Sequence, residues 1–565
     1  MSVLETDVLI VGAGPVGLIS ALLFEKLGVR TVIVERREGL HTSPQAHVIS
    51  SRSLEICRAV GVSDAPLRAL GPAPQDIATV RWVESLTGRD LGVFSMMRRP
   101  DKIARMFANS PSPTINLAQD KFETVLADHI SDTTRILFGH EWCGYEETAQ
   151  GCVSHVTLPD GSQQSIASRF IIGADGAGSA VRRAIGSQME GPCQIQNYIN
   201  VHFHANLRER LKGREGLLYW VMTPETYGAF VAHDIDQNWI FMKNVDRPMT
   251  PEDVDHDRLL TQLRQAIGAD VEFEIQSVST WGMTAQVASS YREGCVFLAG
   301  DAAHRFPPTG GIGMNTGFQD AHNLAWKIAM VLKGWGATCL DTYESERRPV
   351  ALRNSSQSHE NYEKMARVDS TLDADGDGIA TQADFDTVLR DAKLLQKVQA
   401  AIDEQAEHFD MSGLDLGVCY SAPGVVEDGP PPQAENPVTT YTPSTTPGAR
   451  LPHCWLVKDS ERTSTLDLVR MDGFLVLHSA PNEPLETAIE ALRKQGYPLS
   501  SAMIGAGGVA SAADTAFAKL FAPDVVLLVR PDGHTAARVG AEEAARKLPQ
   551  VIKTLLIRER ATENA

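Results

Sequence analysis

Residues 296–317 read VFLAGDAAHRFPPTGGIGMNTG. The opening apolar run, bounded by Gly, predicts a short buried strand that ends at Asp301. Pro307 and Pro308 stiffen the loop that follows, while Gly310, Gly311 and Gly313 let the backbone approach a flat partner. The loop opens a long amphipathic helix over 321–333, whose first amides, at 313–316, point at whatever the loop holds. An Asp at the end of such a strand is placed to bind a polyol hydroxyl.

A second nucleotide-type signal stands at the other end of this stretch of chain. Residues 7–11 (DVLIV) predict a buried parallel strand, residues 15–26 an apolar-faced helix stopped by Gly28, and residues 30–34 a second buried strand closed by Glu35. The loop between is GAGPVG. Gly12 permits the tight turn, Gly14 lets the backbone approach a pyrophosphate, and Gly17 lets helix meet strand, with Pro15 opening the helix. Glu35, eighteen residues after Gly17, accepts hydrogen bonds from an adenosine ribose and repels a 2′-phosphate; Arg36 follows it. Two such elements far apart in sequence predict one extended dinucleotide held at both ends, which is FAD rather than a nicotinamide. A third segment, GADGAGSAVR at 173–182, follows a buried strand. It reads either as a helix capped by Asp175 or as part of the cofactor site.

Composition bounds the alternatives. The 565 residues have room for several domains, and the net charge of −19 disfavours nucleic acid and anionic membranes as partners. The eight cysteines form no CxxC pair and no metal-ligand cluster, no leader precedes the first strand, and no apolar run reaches the ~20 residues of a membrane span. A reduced cytoplasmic enzyme with buried free thiols is the expectation.

The pattern along the chain predicts an α/β (α+β) protein. A Rossmann-like FAD-binding domain (1–75, 116–182, 283–355) interleaves with an antiparallel-sheet substrate domain (76–115, 183–282). A helical segment with an acidic loop (356–422), a Pro-rich linker (423–450) and a C-terminal α/β domain (451–565) follow. In the sheet domain Met222, Tyr227, Phe230, Trp239 and Phe241 are the expected substrate-pocket residues, each also readable as core.

Together these segments resemble the single-component FAD-dependent aromatic hydroxylases, of the phenol hydroxylase and p-hydroxybenzoate hydroxylase type, over residues 4–355. The residues that carry the resemblance are VGAGPVGL (11–18), GADG (173–176) with Ser179 and Arg182, and GDAAH (300–304) through GMNTG (313–317). The resemblance implies FAD, NADH or NADPH as reductant, O₂, and hydroxylation of a phenolic substrate through a flavin C4a-hydroperoxide. It implies cofactor contacts at Gly12, Gly14, Pro15, Gly17, Glu35, Arg36, Gln119, Asp175, Asp301, Pro308, Gly311, Gly313, Met314 and Asn315. It also points to two catalytic positions. Arg52 is similar to the Arg near the flavin pyrophosphate, and His47 stands where the phenol hydroxylase branch has an acidic residue that takes the phenol proton. A His titrating near neutrality can do that work, or it can simply hydrogen-bond the flavin-side loop. Gln45-Ala46 replaces the usual Arg-Ala, and Cys295 replaces a common Arg, a change expected to be neutral.

The C-terminal domain resembles the thioredoxin-like unit of that branch, from PGARLPH (447–453), without a CxxC; Cys454 reads as structural or dimer-forming, and a homodimer is expected. Residues 373–384, DADGDGIATQAD, resemble an EF-hand loop. Asp384 in place of Glu and Ala380 in place of a β-branched residue argue against Ca²⁺ more than for it. The alternatives are a flavin enzyme of Baeyer–Villiger or epoxidising type on a polyketide-like substrate, and a calcium-responsive flavin-containing binding protein.

Overall fold

The computed structural model describes residues 3–96, 100–372, 382–421, 423–505, 508, 510–511 and 520–556. Most of the acidic loop, including Asp373, Asp375, Asp377 and Gly378, lies outside the described residues.

The first sheet runs in the order Arg292–Glu293, Val296–Leu298, Gln163–Gly173, Leu4–Val11, Thr31–Glu35, Arg135–Phe138. All neighbours are parallel except the edge pair Arg292–Glu293 with Val296–Leu298. The runs Val8–Val11, Val32–Val34, Phe170–Ile172 and Val296–Leu298 are buried, and these stretches are continuously apolar as buried parallel strands are. In register, Val11 lies beside Gly173 and Gly173 beside Leu298. The three Gly-rich segments singled out above therefore leave the sheet from neighbouring carboxyl ends, where open α/β sheets hold their ligands.

The helices Pro15–Leu27 and Gly313–Leu332 share the core of this sheet. Gly28, at φ 72°, ends the first of them. The second begins at Gly313, inside the Gly-rich loop and earlier than its apolar periodicity suggests, so the GMNTG residues are themselves helical.

The second sheet has the order Glu274–Met283, Gln196–His204, Asn238–Val245, Gly228–Asp234, Leu218–Val221, Thr79–Val83, Asp90–Ser95. It is antiparallel except between Leu218–Val221 and Thr79–Val83. The helix His256–Ile267 seals one face with Leu259, Leu263, Ala266 and Ile267. On the other face the long helix Thr338–Leu372 covers only the Thr79–Val83 side, through Val368 and Leu372 against Val80 and Trp82. The remainder of that face turns toward the first sheet's loops.

The C-terminal unit places Leu499–Met503, Phe474–His478, Val525–Val529 and Thr535–Gly540 side by side. The first two are parallel, and Val525–Val529 is antiparallel to both of its neighbours. Trp326, Met330 and Trp335 belong to the same apolar cluster as Phe474, Leu485 and Leu548, so the unit docks on the helix that starts at the Gly-rich loop. Charge crosses the same seam. Arg530 pairs with Glu346 at 2.6 Å and with Asp532 at 2.6 Å, and Lys327 with Glu346 at 2.8 Å, all essentially without solvent exposure. Arg450, from the PGARLPH motif, grips Glu55. Such pairs add little net stability, but losing one partner strands a buried charge. The Pro-rich stretch hugs the surface, with Val438 buried beside Ile312, Met411 and Leu414.

The thiols depart from expectation. Cys152 and Cys295 are disulfide-bonded, and Cys143 and Cys193 are exposed rather than buried. The pairing arises because the strand Gly151–Thr157 and the residue preceding Val296–Leu298 flank the same central strand, Gln163–Gly173. Two residues 143 positions apart are brought together by sheet order, which spacing does not reveal. No helix among the described residues is long and apolar enough to cross a membrane.

Candidate functional site

The N-terminal loop is built by close backbone approach. Gly12 sits at φ 107°, and a Cβ there would lie 2.4 Å from the Ala174 carbonyl; a Cβ on Gly17 would lie 2.0 Å from the Gly12 carbonyl. Only Gly fits either position. A Cβ on Gly14, in contrast, would meet nothing within 4 Å. Glu35 accepts the Ala13 amide at 2.8 Å and is clamped by the Arg37 backbone and guanidinium at 3.0 Å. Burial raises its pKa, but these hydrogen bonds from Arg37 and Ala13 outweigh it, and the carboxylate is held below its usual range. Arg36 is exposed; the clamping cation is its neighbour Arg37, which sequence reasoning missed.

The second loop closes on the first. Val16, one residue into the first helix, fills the space beside Gly300 and Gly317: Cβ atoms there would lie 2.8 and 2.5 Å from its methyl groups. Asp301 is exposed to the cleft, and among the described residues no hydrogen bond or ion pair holds its carboxylate. The surrounding protein pushes its pKa up, against the pull of His304 and Arg305. Behind it, Asp320 accepts from the Gly300 amide, His304 at 2.7 Å and Arg347 at 2.8 Å, and so fixes the turn. The helix at Gly313 has no side-chain cap, and a Cβ on Gly313 would meet open space. Gly311, at φ 65°, stacks on Val48; Pro308 is exposed and Met314 half-buried.

Two of the expected contact residues have side chains held by protein partners. The Asn315 side chain is saturated: Oδ1 accepts the Ser50 amide (2.9 Å) and the Ser53 hydroxyl (2.8 Å), and Nδ2 donates to Val48 and Gly311 carbonyls. It ties the Gly-rich loop to the segment that carries His47. Asp175 caps the helix Ala180–Ala184 through Ser179, Ala180 and Val181, the first of its two readings. Arg182 in the same segment donates to the Ala302 carbonyl at 2.9 Å, beside Asp301.

Arg52, the second expected catalytic position, has its side chain held by protein partners. Its guanidinium, 6% exposed, pairs with Glu55 and donates to the Asp532 carbonyl, near His322. The helix Ser51–Ala59 presents it to the C-terminal unit, away from the cleft.

His47 is half-buried, beside His233 of the second sheet. Its neighbour Asn116 accepts from Nδ1 at 2.9 Å, which leaves the lone pair on Nε2. Burial lowers its pKa, and the Asn116 bond only partly offsets this. Gln119 accepts the Ala46 amide at 3.2 Å and donates to Glu123, holding the loop that presents His47. Asn116 is reached through the pairing of Val48 with Asn116, which no local pattern announces.

The aromatic residues of the second sheet divide by strand alternation. Phe230, Trp239 and Phe241 are fully buried between the sheet and the helix His256–Ile267, so they are core and not substrate pocket. Met222 and Tyr227 line a groove of about 1090 Å³ with Lys243, Arg258 and Asp369, and the Tyr227 hydroxyl donates to Asp369 at 2.7 Å. The cleft is roofed instead by the alternate residues. Ser277 meets Ser43 at 3.2 Å, and His233 meets His47 with ring centroids 5.6 Å apart. Adjacent strand residues face opposite ways, and sequence alone does not say which way is inward.

The parts present fit FAD. Open space stands over Gly14 and Gly313, Asp301 is exposed with no hydrogen-bond partner for its carboxylate among the described residues, and the helix that begins at Gly313 has no side-chain cap. A family model described as "FAD binding domain" matches residues 5–358, and one described as "Aromatic-ring hydroxylase, C-terminal" matches residues 444–558. The 2,4-dichlorophenol 6-monooxygenase of Cupriavidus pinatubonensis is 30% identical over 100% of this chain and 98% of its own. The putative polyketide hydroxylase of Streptomyces halstedii is 31% identical over 98% and 97%. The crystal structure of the flavin-dependent monooxygenase PieE with FAD and substrate superposes with a TM-score of 0.90 at 30% identity, over 98% of this chain and 99% of that one. Cleft, sheet order and kinship agree: this chain belongs to the FAD-dependent aromatic-ring hydroxylases.

Proposed function

We propose that the protein hydroxylates a phenolic ring with NADH or NADPH and O₂, one oxygen atom entering the ring and the other leaving as water. The observation that carries this reading is His47: a neutral imidazole at the cleft, oriented by Asn116, with Nε2 free to accept a proton. A phenol ionises near pH ~10 in water, and transfer of its proton to a positioned base raises the electron density of the ring. FAD, when bound, relays electrons from the nicotinamide to O₂ and delivers the electrophilic oxygen. The chain's own part is to bind and orient. Gly12, Gly14 and Gly17 shape the pyrophosphate cradle, Asp301 takes a ribityl hydroxyl, and the Gly313 helix terminus stabilises negative charge on the reduced ring.

Kinship supports a second substrate class, a polyketide, because the putative polyketide hydroxylase of Streptomyces halstedii is 31% identical over 98% of this chain. The same reading places the enzyme in the cytoplasm as a homodimer, which cell fractionation and light scattering test. The function test uses the yellow holoenzyme. NAD(P)H should bleach the flavin far faster with the right phenol present, and mass analysis should find one added oxygen. NAD(P)H consumption with no oxygenated product from any aromatic compound would refute the proposal.

A further inference from the structure

The strands Gly228–Asp234 and Asn238–Val245 stay in register as far as Ala232, which faces Trp239; the next pair is Asp234 with Asn238. His233 is the extra residue of this bulge and has no residue opposite it. Bulges re-aim side chains and gather beside active sites. His233 is 5% exposed, and neither ring nitrogen has a hydrogen-bond partner among the described residues. Its ring meets His47 edge-on, at 83° between planes. The other charged or titratable groups that face it are His202 and Lys121. His202 differs in having its own partner, Asn238, at 2.7 Å.

A buried imidazole with both nitrogens idle gives up a hydrogen bond that the fold could have made. Here the loss falls on a bulged residue in contact with the proton acceptor proposed above. Bringing a ligand oxygen to His233 breaks no existing hydrogen bond, because it has none.

We propose that His233 is a substrate-binding residue that takes a second oxygen substituent on the ring whose hydroxyl meets His47, so the site selects aromatic rings with vicinal oxygen functions over monophenols. The inference rests on the reading of His47 as the phenol's proton acceptor. A neutral imidazole offers one donor and one acceptor. It therefore accepts from a neighbouring hydroxyl or donates to a neighbouring carbonyl. Two imidazoles in edge contact match two oxygens on adjacent ring carbons.

The test titrates the holoenzyme with catechol, o-cresol and phenol, reading the perturbation of flavin absorbance, for wild type, His233→Phe and His233→Gln. Catechol should bind wild type roughly 10-fold or more tightly than o-cresol, which has the same shape without the second oxygen. In His233→Phe that ratio should fall to near one while phenol affinity changes less than about threefold, and His233→Gln, which keeps a donor and an acceptor, should restore part of it. Flavin content and melting temperature check that each variant is folded. A wild-type enzyme that does not distinguish catechol from o-cresol overturns the proposal without recourse to any variant, as does a ratio that survives in His233→Phe. A wild-type flavin that responds to none of the three rings overturns the phenol reading of the cleft, and this inference falls with it. Loss of response to all three rings on His47→Ala, with the catechol preference intact in wild type, leaves both standing.

Discussion

Substituting Gly14 by Ala separates cofactor binding from folding. Gly14 has φ −75°, which any residue adopts, and an added Cβ meets no protein atom within 4 Å. The apo-protein should therefore fold as well as wild type, or slightly better, by about 0.4–1 kcal/mol, because Ala restricts the unfolded chain. The new methyl occupies the space through which a pyrophosphate reaches the loop. Pushing the phosphate outward breaks one or two charge-assisted hydrogen bonds at about 1.5–3 kcal/mol each. A loss of about 3 kcal/mol is roughly a 100-fold rise in the FAD dissociation constant. Gly17→Ala is the contrast: its Cβ would lie 2.0 Å from the Gly12 carbonyl, so the loop itself must shift and the fold weakens with it. The assay strips the flavin, follows FAD rebinding by quenching of its fluorescence, and records the melting temperature of each apo-protein. An FAD affinity for Gly14→Ala within about threefold of wild type would refute the reasoning, since the open space above Gly14 would then not be the cofactor's.

Four further outcomes follow from the same geometry. His47→Ala should lower phenol turnover by ~10²–10⁴ with FAD affinity unchanged. Because burial lowers the His47 pKa below 6.5, wild-type kcat/KM should stay flat as pH falls through 6.5 and decline only below it; an acid limb at or above 6.5 contradicts this. Phe230→Ala should cost about 3–5 kcal/mol in denaturant unfolding without changing phenol affinity, and lost affinity at unchanged stability would return Phe230 to the pocket. Glu346→Gln should destabilise by about 3–5 kcal/mol, because it removes the carboxylate paired with Lys327 and leaves Arg530 with Asp532 alone. Arg530 and Lys327 outweigh burial and hold the Glu346 pKa down to about 2, against 4.5 when unpaired. Its contribution is therefore complete above pH 4.5 and lost as pH falls toward 2. Urea midpoints at pH 7 and pH 3 read this, and a variant that matched wild type at both would show the pair to be inert.

The chain order of the flavin fold was legible because its chemistry is local. Gly12 and Gly17 satisfy backbone needs that only Gly meets, and a strand, a turn and a helix within thirty residues are specified by their own periodicity. Gly28 likewise stands where local pattern put it, whereas the strand expected to end at Asp301 stops at Leu298 and Asp301 lies in the short turn Gly300–Ala302; the three Gly-rich segments implied a shared ligand before any register was known. What sequence could not decide was which side of a strand looks inward and what lies across a sheet. Phe230, Trp239 and Phe241 have the composition of a pocket, but alternation with period two serves either face equally, and only the placement of the helix His256–Ile267 made them core. Arg52 stood beside the cofactor by motif, yet the C-terminal unit captured it through the Asp532 carbonyl. Cys152 met Cys295, and His47 met Asn116 and His233, through pairings between strands distant in the chain. The sequence alone determined the cofactor and the fold that carries it, because backbone geometry is encoded where it occurs. The tertiary structure alone decided which side chains face the substrate, because burial and register belong to no single segment.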